Sequence, residues 1–133
     1  MIINSIFVID DDPIVIFGIK KLLSKIKNNM QVHTFLNGEE AINAIYNQNI
    51  NSCQLPDIIF LDINMPVMDG WEFLEALLAL KLEKKININI VSSTIDPEDL
   101  KKIESYKNIH EHCIRFNSKP ITPKEIKRLT VAA

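Results

Sequence analysis

Asp10 and Asp11 follow directly on the apolar run Ile6 to Ile9, and Asp62 closes a second run, Ile58 to Leu61. Ser92 ends a third run, and Lys119 lies just beyond a fourth. Carboxylates brought within a few ångströms repel one another, so either some protonate or a cation neutralises them. Magnesium suits such a group, because it takes oxygen ligands and is commonly held by one or two carboxylates with waters and a phosphate. An aspartate beside such an ion can also attack phosphorus and form an aspartyl phosphate. The transferring phosphoryl group spreads negative charge over its oxygens, which asks for positive charge and hydrogen-bond donors rather than proton transfer. Lys119 offers a point charge and Ser92 a hydroxyl. Taken singly these residues are ordinary: an acidic pair after a strand is often a helix cap with a solvated neighbour, and serines frequently close strands. Their coincidence at four strand ends points to one site.

The apolar runs alternate between short, β-branched stretches and longer ones with helical spacing, a βα repeat. Strands are predicted from Ser5 to Asp10, Gln31 to Phe35, Asp57 to Asp62, Ile88 to Ser92 and His112 to Phe116. Three of them, the first, third and fourth, are almost continuously apolar, as in a parallel sheet covered on both faces. Helix starts are marked by Asp12-Pro13, Asp96-Pro97 and the capping box Thr122-Pro123-Lys124-Glu125. In the first helix Val15, Ile19, Leu22, Leu23 and Ile26 share a face, and Gly18 within it costs about 1 kcal/mol. The second helix is predicted from Gly38 to Gln48, the third from Trp71 to about Leu82, and the fourth from Pro97 to about Tyr106. Five βα units imply an open, doubly wound sheet, where ligands bind beyond the carboxyl ends of the strands. That is where Asp10, Asp11, Asp62, Ser92 and Lys119 fall.

With 133 residues, 47% of them hydrophobic, the chain fits one globular domain spanning residues 1–133. A formal net charge of −2 gives no reason to expect a nucleic-acid surface or a membrane-binding face. Cys53 and Cys113 stand far apart and in no CxxC arrangement, which suits free thiols in a reducing compartment. The first nine residues lack a basic leader and run into three aspartates, so they read as a strand rather than a signal peptide, and the cytoplasm is the expected location.

The stretches "FVIDDDP" (Phe7 to Pro13), "FLDINMPVMDG" (Phe60 to Gly70), "IVSS" (Ile90 to Ser93) and "FNSKP" (Phe116 to Pro120) together resemble the receiver domain of two-component response regulators, a family that includes the single-domain chemotaxis receiver. The resemblance implies a flavodoxin-like fold with strand order 2-1-3-4-5. It makes Asp62 the phosphoacceptor and Asp10 with Asp11 the acidic pair, Asp11 as direct magnesium ligand and Asp10 acting through a coordinated water. Asn64 matches the residue whose backbone carbonyl completes the metal site. Ser92 matches the switch hydroxyl, Phe116 the aromatic that follows it, Lys119 the phosphate-contacting lysine, and Pro120 its peptide partner, often cis. Ser93 departs from the family's usual alanine, and the distance from Ser92 to Lys119 is longer than in the chemotaxis receiver.

The resemblance implies a signalling domain that takes a phosphoryl group from a histidine kinase or histidine phosphotransfer protein. It catalyses only its own phosphorylation and dephosphorylation, and its altered surface is read by a partner protein. With the chain ending at Ala132-Ala133, no DNA-binding or enzymatic output segment is expected, and a monomer is. A rival function is a magnesium phosphatase or phosphotransferase of the haloacid dehalogenase type. That family places a general-acid aspartate two residues after the nucleophile, where this chain has Asn64. Nucleotide binding is disfavoured, since neither GxGxxG nor a P-loop occurs. His110-Glu111-His112 reads as a solvated loop and Trp71 as packing at the start of the third helix.

Overall fold

The structure is a computed structural model and describes residues 3–26, 30–50, 55–93, 95–109 and 112–131. Cys53, His110, Glu111 and the two final alanines lie outside the described residues. The elements run β1 (Ser5–Ile9), α1 (Pro13–Ser24), β2 (Gln31–Phe35), α2 (Gly38–Ile50), β3 (Ile58–Leu61), α3 (Gly70–Ala79), β4 (Asn87–Ser92), α4 (Pro97–Ile109), β5 (Cys113–Ser118) and α5 (Pro123–Val131). The strands form one parallel sheet in the order β2-β1-β3-β4-β5. This is the open, doubly wound sheet expected from the βα repeat, in the flavodoxin-like order that the resemblance implies.

Alternation along each strand sends side chains to both faces, and each face has its own core. Phe7, Ile9, Ile59, Leu61, Ile88 and Ile90 pack beneath α2, α3 and α4, while Ile6, Val8, Ile58, Phe60 and Val91 pack beneath α1 and α5. The inner face of α1 is built from Ile16, Ile19 and Leu23, with Val15, Leu22 and Ile26 only half-buried at its margin. The helix therefore sits rotated from the predicted stripe, toward Ile16.

Capping sets the helix starts. The Asp12 carboxylate accepts from the Ile14 N–H at 2.9 Å, and Thr122 and Glu125 exchange both bonds of a capping box at 3.1 Å. Asp69 and Glu72 form a further box that opens α3. That helix ends at Ala79 rather than near Leu82 because Lys81 takes φ 51, a left-handed conformation that stops helix propagation. On α3 Trp71 is buried and stacks on Tyr106 of α4 at 6.3 Å between ring centroids, as expected for a packing residue at the helix start.

His112 is buried, and its Nδ1 accepts a hydrogen bond from the Ile86 N–H at 2.9 Å, so it belongs to the base of the β4–β5 pair and not to a solvated loop. Among the described residues no helix is long and apolar enough to cross a membrane.

The amino ends of β1, β3 and β4 are tied by one carboxylate. Asp57, 3% exposed, accepts from the N–H groups of Asn4 at 2.8 Å and Ser5 at 3.0 Å, and pairs with Lys84 Nζ at 2.7 Å. Burial works against its charge, but Lys84 and the two backbone donors outweigh it and hold the carboxyl below its ordinary value. An acid whose folded pKa is depressed stabilises the fold above its unfolded value, and loses that contribution as pH falls through the folded one. Asp57→Ala is expected to lower the unfolding free energy by about 2–4 kcal/mol, because two backbone donors and a lysine lose their partner. The stability advantage of the native protein over Asp57→Asn, measured by denaturant titration, should hold near neutrality and shrink as pH drops below about 4.

Candidate functional site

Parallel pairing continues past the strand ends and gathers the acids. The Asp62 N–H donates to the Ile9 carbonyl at 2.9 Å, and the Asp10 N–H donates to that of Phe35 at 3.0 Å. On the other side of the sheet's midline the Lys119 N–H donates to the Ser92 carbonyl at 3.0 Å, which fixes the lysine beside the end of β4. Four of the residues singled out in the sequence thus meet at the carboxyl edge: Asp10, Asp11, Asp62 and Lys119.

Carboxylate oxygens of Asp10, Asp11 and Asp62 lie within 4.8 Å of one another. Asp10 and Asp62 are buried, at 2% and 6% exposure, whereas Asp11 faces solvent. One oxygen of Asp10 accepts from the Asp12 N–H at 2.9 Å, and the other pairs with Lys119 Nζ at 2.9 Å. The same ammonium stands 3.4 Å from Asp62.

Burial pushes the Asp62 carboxyl above its ordinary value, the Asp10 charge pushes it further, and Lys119 offsets only part of this. For Lys119 burial disfavours the charge, but its contacts with Asp10 and then Asp62 prevail and hold the ammonium above its usual range. One ammonium thus stands between two of the three clustered acids, and all the cluster's donors are hard carboxylate oxygens. This donor set fits magnesium, which prefers oxygen and needs few protein ligands.

Ser92 is buried at the end of β4, and Phe116 is half-buried on β5, packed against the core beneath α3 and α4. The register Ile90↔Phe116 and Ser92↔Ser118 places Ser92 and Phe116 diagonally on adjacent strands and on the same face. Asn64 is exposed between Ile63 and Met65, both 7% exposed, so the backbone at Asn64 is carried out of the core by its anchored neighbours. Its carboxamide has no acidic proton to give a leaving group, which disfavours the haloacid dehalogenase reading. The Lys119-Pro120 peptide is cis.

The loop after Asp62 closes on itself at Gly70. A Cβ there would lie 2.4 Å from the Asp62 carbonyl oxygen and 2.8 Å from Ile63 Cα, and the Gly70 N–H donates to the Ile63 carbonyl at 2.8 Å. Only glycine permits that approach. Val67 takes φ 70 at the loop's tip. Proline before it and Met-Asp-Gly after it signal a tight turn there, but no residue type marks a β-branched side chain for such a φ.

A family model of the response regulator receiver domain matches residues 6–130. The protein-glutamate methylesterase/protein-glutamine glutaminase of Clostridium acetobutylicum is 30% identical over 125 residues, covering 94% of this chain and 33% of that protein. The nitrate/nitrite response regulator protein NarL of Escherichia coli is 35% identical over 89 residues, 67% of this chain and 38% of that protein. The chain thus spans little more than a third of the length of these curated relatives. A two component response regulator from Cytophaga hutchinsonii superposes with a TM-score of 0.80 at 29% identity, over 97% of this chain and 95% of that one. Because the match takes in the strand ends that carry the acids as well as the elements beneath them, the chain belongs to the response regulator receiver family of two-component signalling.

Proposed function

We propose that this receiver accepts a phosphoryl group on Asp62 from a phosphohistidine of a histidine kinase or histidine phosphotransfer protein, and signals through a changed surface to a partner protein. The observation that carries the reading is the single ammonium of Lys119 set between the buried carboxylates of Asp10 and Asp62, at 2.9 and 3.4 Å.

In the transfer an Asp62 oxygen attacks phosphorus, the P–N bond of the donor breaks, and its electron pair leaves with the imidazole. A carboxylate nucleophile carries no proton to remove, so no general base is needed. What the reaction requires is compensation of the charge on the phosphoryl oxygens. Lys119, kept charged by its acidic neighbours, supplies part of it, and the Ser92 hydroxyl donates a hydrogen bond to the new phosphoryl group. Asp10, Asp11, Asp62 and the Asn64 backbone carbonyl would hold magnesium, which when bound neutralises the crowded carboxylates and screens the approaching phosphate. The domain catalyses only its own phosphorylation and dephosphorylation. Phe116, which shares a face with Ser92, relays the phosphoryl group's presence toward the surface of α4, β5 and α5, where Lys101, Glu104, Lys124 and Lys127 are exposed. The half-buried free thiol of Cys113 suits the reducing cytoplasm.

Directly after the acid pair, α1 presents Ile14, 79% exposed, and Phe17, 66% exposed. Beside them runs an apolar groove of about 390 Å³ between α1 and the start of α5, lined by Val15, Gly18, Leu22, Val91 and Ile121. A Cβ on Gly18 would meet nothing within 4 Å, so the fold itself has no use for a glycine that costs about 1 kcal/mol in a helix interior. An apolar platform this close to the acceptor suits the protein donor.

Incubation with magnesium and acetyl phosphate should add one phosphoryl mass to the native protein and none to Asp62→Asn, and a chelator should abolish the native labelling. Stoichiometric labelling of Asp62→Asn would remove the acceptor assignment. An acid with a raised folded pKa destabilises the fold where it is ionised, so in metal-free buffer at pH 7 Asp62→Asn should be more stable than the native protein by denaturant titration. That gain should vanish below about pH 4, where the carboxyl is protonated in both states.

Ser92→Ala should still be labelled, more slowly, but backbone NMR shifts between residues 92 and 120 should shrink on phosphorylation. Full native shifts in this variant would exclude the hydroxyl as the relay. Gly18→Ala should raise stability by roughly 0.5–1 kcal/mol and leave acetyl phosphate labelling unchanged. Its phosphorylation by a histidine phosphotransfer protein that labels the native chain should be slower, and an equal rate would free this groove from donor docking.

A further inference from the structure

Between Asp62 and the start of α3 the chain makes its tightest reversal at Pro66-Val67-Met68. The Met68 N–H donates back to the Pro66 carbonyl at 2.9 Å, a three-residue γ-turn with Val67 at its centre and φ 70. This form of the turn is rare and strained, and a β-branched residue is the least suited to it. Val67 is 72% exposed, so packing of its side chain does not repay the strain. Something outside the turn must hold it.

The holding group is the amino end of α2. The Gly38 N–H donates to the Met68 carbonyl at 3.2 Å. A Cβ on Gly38 would stand 2.9 Å from that same oxygen, 3.0 Å from Met68 Cγ and 3.1 Å from Phe73 Cβ, so the contact is available to glycine alone. At its far end the loop is pinned by Gly70 against the Asp62 carbonyl. Asn64 and Asp62 therefore belong to a segment clamped at two glycines, with a strained turn between them. Released from Gly38, Val67 would fall to the extended conformation that valine prefers, lengthening the loop and moving the segment that carries Asn64.

We propose that Gly38 is a positioning residue for phosphoryl transfer: its N–H latches Met68, enforces the strained turn at Val67, and so keeps the Asp62 loop in its reactive geometry. The proposal rests on Asp62 as the acceptor. It assigns to α2, an element that contributes no group to the acidic cluster, control over how fast that cluster reacts.

The test measures initial rates of labelling by acetyl phosphate in magnesium, with the labelled residue mapped, together with amide exchange in the unphosphorylated protein. Small displacements of a reacting group are costly, so Gly38→Ala should slow labelling roughly threefold to tenfold. Val67→Gly, which adopts the turn without strain, should label at or above the native rate and melt higher. In the double variant Gly38→Ala/Val67→Gly the rate should return to within about twofold of native, since glycine keeps the turn without the latch. A purely structural Gly38 would lower the melting temperature and leave the labelling rate of the folded protein untouched, and that result overturns the proposal. Should Gly38→Ala fail to fold, Val67→Pro leaves α2 intact but forbids positive φ. It should slow labelling and speed exchange of the Gly38 amide, and native exchange there would overturn the latch. If the native chain is labelled at another residue, the acceptor assignment falls, whereas the exchange result still judges the latch by itself.

Discussion

Two buried carboxylates that repel each other across the end of a sheet, with one lysine between them, are the constraint around which this molecule is arranged. Asp10 and Asp62 arrive there because parallel pairing carries the backbone of β1 and β3 one residue beyond the strands, and Lys119 because its own N–H is bound at the end of β4. None of the three can retreat without giving up a backbone hydrogen bond. The sheet thus keeps together charges that would separate in a free chain, and Lys119 compensates only part of the repulsion. A site left in that condition favours whatever brings more positive charge to it.

The two ends of β3 show how differently one residue type is treated. Asp57 precedes the strand and Asp62 follows it, and both are almost inaccessible to solvent. At Asp57 two N–H donors and Lys84 more than compensate burial, and the carboxyl lies below its ordinary value. At Asp62 burial and Asp10 prevail, and the carboxyl lies above it. The first fastens three strands together at their amino ends. The second is kept poorly compensated at the carboxyl ends, where ligands of open parallel sheets bind. A compensated and an under-compensated carboxylate are placed at opposite edges of the same sheet by the number of donors each edge provides.

The strand pattern was legible because β-branched runs bounded by turn residues leave few alternatives, and β2 has the bounds that its pattern predicts. That the acids, Ser92 and Lys119 gather at one edge could be read because each stands at the end of an apolar run of the βα repeat. What stayed hidden depends on partners remote in sequence. Nothing in the spacing joins Asp57 to Lys84, or tells that His112, next to Glu111 in sequence, turns inward to take the Ile86 N–H. The early end of α3 turns on the φ of a single lysine, and α4 continues to Ile109 past the expected Tyr106 because no glycine or proline there marks a stop. Val67 was invisible for a related reason: its φ accompanies hydrogen bonds made by Met68 and Gly38, and is not one that valine favours.

These local disadvantages share a location. Gly18 weakens α1 beside a groove, Val67 strains the loop after Asp62, and Asp62 itself is under-compensated, all near the carboxyl edge of the sheet or on the helix that leaves it. The compensating interactions lie elsewhere: in the apolar layers on both faces, in the capping boxes at Asp69 and Thr122, and in the Asp57 cluster. Residues held in disfavoured states persist only where the surrounding structure over-determines them, and such residues cluster at functional sites. A receiver must register one added phosphoryl group as a difference between two conformations. An edge whose charges and backbone are already unfavourable needs less added energy to change than one at rest, and the stability needed to tolerate it comes from the apolar layers on both faces of the sheet.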